Sequence, residues 1–490
     1  MASADTGGRL NAMVERRRLF IGGDWVSSDE GQVVEVRSPA DRHVVGHAAL
    51  GTPADIGRAV DAARRSFDSR TWQDTPAETR AAVLSRAADL LEERSDYLAD
   101  LITSELGCTR AFSARAHVPN PIRHMRTFAD LIRHYQAEEL RSDGVNTTLV
   151  VKQPAGVVAA ITPWNGPLSG PALKIAPALA AGCSVVAKPP PETPLVLHEL
   201  ADALAEAGLP ASVLNVVPGG REAGMALAGH PQVDKVAFTG STAAGKHIAK
   251  ACADRIARVT LELGGKSAAI ILPDADVAAT VAALVPMAMA VNGQLCISQS
   301  RVLVHQRLYE QVVAALAAAL SALRVGDPMD PATDLGPMVS EAQRDRVESY
   351  VRLGQEEGGQ VVTGGGRPAG LDGWFVSPTL VAGVTNDMRI AREEVFGPVM
   401  AVIPFTDSAD AIRLANDSPY GLSGSVWGDP DEALAVARRI RTGMVSINGA
   451  PQAWGSPFGG FKQSGIGREM GLEGLEAYFE VQSIAVRSGG

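Results

Sequence analysis

GVVAAITP (156–163), CSVVAKP (183–189), SVLNVVP (212–218) and DKVAFTG (234–240) are short β-branched runs, each closed by proline or glycine. Between them lie stretches with helical character at 172–181, 194–207 and 222–228. Strand–helix alternation of this kind predicts a parallel, doubly wound α/β sheet. Ligands of such sheets bind at the carboxyl ends of the strands. Outward from this block a second alternating series runs from 260 to about 450: VTLEL, AAIIL, SRVLVH, MAVIPF, GSVW and MVSIN, with alanine-rich helices at 275–291 and 309–323. Two consecutive α/β units imply two domains with a cleft between them. Upstream, LFIGGDWV (19–26) reads as a strand–turn–strand, and 56–67 and 78–106 carry helical periodicity. Residues 1 to about 20 are expected to be a mobile tail. The segments 133–151 and 472–490 read as strands able to pair outside their own domain.

The bulk properties exclude several classes. A chain of 490 residues with 46% hydrophobic and 20% charged residues is an ordinary globular composition. A net charge of −10 and no basic block with interleaved aromatics argue against nucleic acid or an anionic membrane as partner. The N-terminus has no apolar signal segment, and the longest apolar run, Val277 to Val291, is too short to span a bilayer. Cys108, Cys183, Cys252 and Cys296 form no C-x-x-C pair, so neither a disulfide framework nor a metal centre is expected. A cytoplasmic protein with reduced thiols follows.

Several segments could carry chemistry. In DKVAFTGSTAAGKH (234–247) a strand ends at Phe238, Gly240 permits a tight turn, and a helix opens near Thr242. Its first amides could hold a pyrophosphate, or the segment is an ordinary strand–helix turn. Gly240-x-x-x-x-Gly245-Lys246 resembles a P-loop, but His247 stands where a Ser or Thr would bind magnesium. A dinucleotide G-x-G-x-x-G is missing; Gly465-x-Gly467 fails at Met470. VNGQLC (291–296) breaks an apolar helix just before Cys296, which is either a structural thiol or a nucleophile needing activation. VTLELGGKS (259–267) ends a strand on Glu262, a solvated end or a general base. ITPWNGP (161–167) presents Asn165 in a proline-bounded turn, where its amide could hold an oxyanion. REEVFGPV (392–399) and SPFGGFKQSGIGRE (456–469) are loops rich in glycine and carboxylates.

In this order the segments resemble the aldehyde dehydrogenase superfamily, from about residue 20 to 485. LELGGK, GQLC, FTGS, PWN and EEVFGP are its signature boxes. The resemblance implies a variant Rossmann cofactor domain (1–132 and 152–261), a catalytic α/β domain (262–471) and a small β oligomerisation arm (133–151 and 472–490). It implies Cys296 as nucleophile, Asn165 with the Cys296 backbone N–H as oxyanion donors, and Glu262 as the base that activates hydrolytic water. Lys174 and Glu469 match residues that relay that proton or order water in relatives, the alternative being a helix-packing lysine and a loop carboxylate. For NAD it implies Ser241 and Trp164 beside the pyrophosphate, Glu394 at the nicotinamide ribose, Lys188 at the adenosine ribose and Phe396 as a further cofactor contact. Ile161, Thr162, Pro163, Phe238, Thr239, Gly240, Gly245, Leu263, Gly264, Gly220, Arg221 and Gly224 complete that site. A homodimer or homotetramer would follow.

Two departures bear on specificity. Where NAD-preferring relatives read K-P-x-E, this chain reads Lys188-Pro189-Pro190-Pro191-Glu192, so Pro191 stands on the carboxylate position. Either Glu192 shifts in, or NADP use becomes possible, with Arg221 near its phosphate. After PWN the sequence carries Gly166, Ser169, Gly170 and Leu173, where small-aldehyde relatives have bulky residues. With Leu295, Ile297, Trp454 and Phe458 as apolar walls, this predicts bulky hydrophobic aldehydes as substrates. A CoA-acylating semialdehyde dehydrogenase and a P-loop nucleotide module are the alternatives; Glu262 argues against the first and His247 against the second.

Overall fold

The computed structural model describes residues 12–28 and 31–487. Five parallel strands form the middle of an eight-stranded sheet. Leu214–Val216, Ser184–Lys188, Val157–Ile161, Lys235–Thr239 and Arg258–Glu262 lie side by side in that order. The hairpin Leu19–Ile21/Asp24–Val26 extends one edge, and Gly465–Ile466 the other, both antiparallel. Val158, Ala160, Val185, Ala187 and Ala237 face one hydrophobic layer. Val157, Ala159, Ile161, Val186, Val236 and Phe238 face the other. Both faces are covered by helices, which is why these strands are continuously apolar rather than alternating.

The order of the strands locates the crevice. From Val157–Ile161 the chain winds outward through Ser184–Lys188 to Leu214–Val216, then returns to lay Lys235–Thr239 on the opposite flank. Winding reverses between Val157–Ile161 and Lys235–Thr239, so the loops leaving these two strands part and open a cleft. Those loops are Thr162–Asn165 and Gly240–Ser241. Ser241 caps the helix Thr242–Ala253 by accepting from the Ala244 N–H at 3.3 Å, which makes the S-T-A-A-G turn a helix start.

A second, seven-stranded sheet carries Ala268–Ile271 and Arg301–His305 at its centre, parallel to each other. It is parallel except for Gln360–Thr363 at one edge, and packed on both faces. Glu138–Ser142, Thr147–Pro154 and Phe479–Val486 form a separate antiparallel sheet.

Two expectations change. The tail ends earlier than residue 20: Val14–Arg16 pairs in parallel with Val44–Ala49, and Leu19 is wholly buried. Charges at 15–18 hid these short strands; residues 1–11 lie outside the described residues. The single helical stretch 78–106 is two helices, Ala77–Glu93 and Ser95–Leu106, parted at Arg94.

Candidate active site

The candidate cofactor residues converge on the carboxyl ends of the first sheet. Ile161 is paired with Lys188 and Phe238, and Thr239 with Glu262, so four strands end in register. Beyond these ends lies a cavity of about 330 Å³. Pro163, Trp164, Thr239, Gly240, Ser241, Leu263, Gly264, Glu394 and Phe396 line it together with Asn165 and Cys296. Its two halves are fitted by glycine. A Cβ on Gly264 would stand 2.5 Å from Glu394 Oε2, one on Gly240 2.5 Å from the Phe238 ring, and one on Gly245 2.4 Å from Leu263. Glu394 Oε1 accepts from the Gly265 N–H at 3.0 Å, and burial holds the carboxyl above its usual range. Phe396 meets Trp164 edge to face at 5.3 Å. Thr162 is buried, and its hydroxyl has no hydrogen-bond partner among the described residues. A larger cavity, about 420 Å³, lies elsewhere, between residues 12–13, 38–45, 103–104, 327–329 and 371–375, and holds none of these groups.

The remaining cofactor candidates form a corner outside this cavity's lining. Lys188 is buried, its Nζ donating to the carbonyls of Gly219 (2.6 Å) and Pro189 (3.2 Å), and burial lowers its pKa to about 8. Gly220 precedes the helix Arg221–Gly229, whose first residue is exposed, and a Cβ on Gly224 would touch the Lys188 stem at 3.6 Å. Pro191 is half-buried and Glu192 exposed.

Cys296 follows an unusual turn. The helix Val277–Met289 ends, and Val291 (φ 51), Asn292 (φ 58) and Gly293 (φ 74) are all left-handed. For a non-glycine residue this costs roughly 1–2 kcal/mol, and a β-branched valine there is rare. Such strain persists only where the surroundings over-determine it. Here they do. A Cβ on Gly293 would overlap the Gly397 carbonyl at 2.3 Å, and one on Gly265 the Cys296 carbonyl at 2.4 Å. The LELGGK and EEVFGP loops therefore clasp the turn from two sides. Cys296 is half-buried at the cavity wall. Burial, then the carboxyls of Glu394 and Glu262, push its thiol up to about 12, so the resting group is a thiol. Asn165 is buried beside it and donates from Nδ2 to the Gln294 carbonyl at 2.9 Å. That bond uses one of the two amide hydrogens.

Glu262 is only 2% exposed, and neither carboxyl oxygen has a hydrogen-bond partner among the described residues. Burial, reinforced by Glu469 and opposed by Lys174 and Arg468, raises its pKa to about 9. A Cβ on Gly459 would stand 2.7 Å from Glu262 Oε1, so the FGG loop closes directly over the carboxyl. Lys174 and Glu469 form a buried ion pair nearby. An unpartnered carboxyl of this kind is neutral at rest and gains most from a proton donor arriving beside it.

On the other side, Gly166, Ser169, Gly170 and Leu173 share the half-buried face of the turn and helix that follow Asn165. A Cβ on Gly170 would meet only Pro163, at 3.8 Å. Leu295 is half-buried and Ile297 36% exposed. Trp454 is pinned by a 2.8 Å bond to Thr127, stacking on His124 and the Arg123 guanidinium. Phe458 exchanges backbone hydrogen bonds with Glu469.

Sequence reasoning missed Gln343 and Arg346, which also line the cavity. They lie three apart on the helix Glu341–Glu356 and hold the EEVFGP loop. Gln343 donates to the Phe396 carbonyl at 2.7 Å and Arg346 to the Glu394 carbonyl at 2.6 Å. Spacing of i, i+3 places both on one face, but nothing marks them apart from any solvated pair.

Residues 25–484 match the model of the aldehyde dehydrogenase family. Geranial dehydrogenase of Castellaniella defragrans is 45% identical over 473 residues, covering 96% of this chain and 99% of that protein. The crystal structure of a Mycobacterium tuberculosis aldehyde dehydrogenase complexed with NAD+ superposes with a TM-score of 0.96 at 45% identity, covering 98% of this chain and 100% of that one. An aldehyde dehydrogenase from Pseudomonas syringae, a cysteine-to-alanine variant complexed with NAD+ and octanal, does so with a TM-score of 0.94 at 40% identity, covering 97% and 98%. The chain belongs to the aldehyde dehydrogenase family, and its reaction is the oxidation of an aldehyde to a carboxylic acid.

Proposed function

We propose that this enzyme oxidises extended or bulky hydrophobic aldehydes with NAD, through a thioester on Cys296 that water hydrolyses. The observation that carries the reading is the meeting of Cys296, Asn165 and the cavity behind Trp164 at one edge of the sheet. The Cys296 thiol, half-buried at the cavity wall, loses its proton to solvent as the sulfur attacks the carbonyl carbon, and the free Asn165 N–H and the Cys296 backbone N–H receive the oxyanion. Hydride acceptance is the chemistry NAD would supply; the helix start at Ser241 would hold its pyrophosphate and the Glu394 carboxylate its ribose. Glu262 first gives up its resting proton through the Lys174–Glu469 pair; once ionised it takes a proton from water as the water attacks the thioester carbon, and collapse of that adduct expels the Cys296 sulfur, which regains a proton, and frees the carboxylic acid. A base with a raised pKa suits this step, because it holds the proton it accepts.

Space beside Gly170 supports the substrate class, as do geranial and octanal, the aldehydes named with two relatives. Each methylene buried there contributes about 0.8 kcal/mol. Leu140, Val481, Ile484 and Val486 are exposed on the three-stranded sheet, which supports assembly as a dimer or tetramer through it. Among the described residues no helix is long and apolar enough to cross a membrane. We place the enzyme in the cytoplasm, since its four cysteines are free. The test is kcat/KM for acetaldehyde, hexanal, benzaldehyde and a C10 terpenoid aldehyde in wild type and Gly170→Trp. Wild type is expected to favour the larger aldehydes and the variant to lose them selectively. A preference for acetaldehyde, or a variant indifferent to size, would contradict the substrate assignment.

A further inference from the structure

We propose that Asn292 is a positioning residue that bolts the nucleophile turn to the cofactor-binding half of the molecule, aligning Cys296 through the seam at Gly107. The inference rests on Cys296 being the nucleophile.

The Asn292 side chain is buried, and both its ends are engaged. Nδ2 donates to the carbonyls of Pro337 (2.6 Å) and Gly107 (3.1 Å), and Oδ1 accepts from the Gly336 N–H at 2.9 Å. Asparagine suits the place twice over. It tolerates the left-handed backbone better than most side chains, and its amide offers donors and an acceptor together.

The partners belong to different parts of the molecule. Gly107 is the left-handed cap (φ 83) of the helix Ser95–Leu106, which packs in the core beneath the first sheet. Gly336 and Pro337 lead into the helix Glu341–Glu356, which carries Gln343 and Arg346 to the cavity. Gln294 reinforces the second link, its Oε1 accepting from the Val339 N–H at 3.1 Å. The seam has no slack: a Cβ on Gly336 would stand 2.0 Å from the Gly107 carbonyl oxygen, and one on Gly107 2.6 Å from Pro39. In the left-handed turn Val291–Gly293, Asn292 supplies the one polar side chain. Its three bonds over-determine the turn that aims Cys296, and they route that aim through a carbonyl of the other half.

Two variants separate the side chain from the backbone. Asn292→Gly keeps left-handed freedom and removes every bond; Asn292→Asp keeps the shape and the acceptor but loses both donors. Each is mixed rapidly with NAD and octanal to follow NADH, titrated with NAD, and alkylated at Cys296 with iodoacetamide, with Cys296→Ala in parallel. For Asn292→Gly, NAD affinity should stay within about twofold while kcat falls by roughly ten- to a hundredfold, the range a 1 Å misplacement produces. The NADH burst should vanish, because acylation becomes the slow step, and alkylation should slow. Asn292→Asp should fall between, and it carries the test should the glycine variant not fold. A lowered melting temperature with kcat, burst and alkylation unchanged in either variant overturns the proposal. Turnover by Cys296→Ala would instead overturn the nucleophile assignment on which it rests.

Discussion

The wall that follows strand Val157–Ile161 and the wall that carries Cys296 face one crevice, and they are held by different means. The first is shaped by the sheet. Strands end in register, their loops part where the winding reverses, and glycines at 240, 245 and 264 let Phe238, Leu263 and Glu394 pack close. The second is held against its own backbone preference, with three left-handed residues clasped by Gly265, Gly397 and the Asn292 side chain. A binding surface tolerates small displacements, whereas a nucleophile does not. The difference predicts that changes to the cofactor loops of the first wall, at 188–191 and 240–241, alter affinity, and that changes to the turn aiming Cys296 alter rate.

Cys296→Ala breaks the comparison most severely. Turnover should fall by roughly four orders of magnitude or more, as when other nucleophiles are removed. NAD affinity should stay nearly intact by fluorescence titration, since the thiol is one edge of the cavity. A loss of NAD binding equal to the loss of rate would show that the two walls are not separable.

Pro191→Glu sharpens the comparison from the other side, with a smaller effect. Glu192 already acts on Lys188 through its charge, and a further carboxylate at position 191 adds repulsion toward a 2′-phosphate worth on the order of 1 kcal/mol in partly solvated surroundings, about five- to tenfold in affinity. The variant should discriminate more strongly against NADP with kcat for NAD unchanged. An unaltered NADP/NAD ratio of kcat/KM would show that Pro191 does not set the preference.

The same contrast decides what could be read from the sequence. The first wall was legible because its causes are local: β-branched runs ending in Pro or Gly, and an N-cap at Ser241, dictate a strand–helix turn wherever they occur. Cys296, Glu262 and Asn165 were legible through their motif boxes, while the meeting of Asn165 and Cys296 at one cavity, and the burial of Glu262 close enough to act on the Cys296 thiol, are products of the fold. Gln343 and Arg346 were invisible, since a Gln and an Arg three apart on a charged helix describe any solvated face. Asn292 was equally hidden: its partners lie 185 and 45 residues away, and only packing brings Gly107 and Pro337 together. The paired strand Val14–Arg16 was masked by its charges, because its partner, Val44–Ala49, supplies the apolar contacts.

The most direct test of the covalent, hydrolytic account is a rapid quench of Glu262→Gln with NAD and a C10 aldehyde, followed by mass analysis of the Cys296 peptide. Removing a general base slows its step by about 10²–10⁴-fold. The account therefore predicts a burst of up to one NADH per subunit, a greatly slowed steady state, and an acyl group accumulating on Cys296. A burst without that adduct, or an acyl group on Cys108, Cys183 or Cys252 instead, would contradict it.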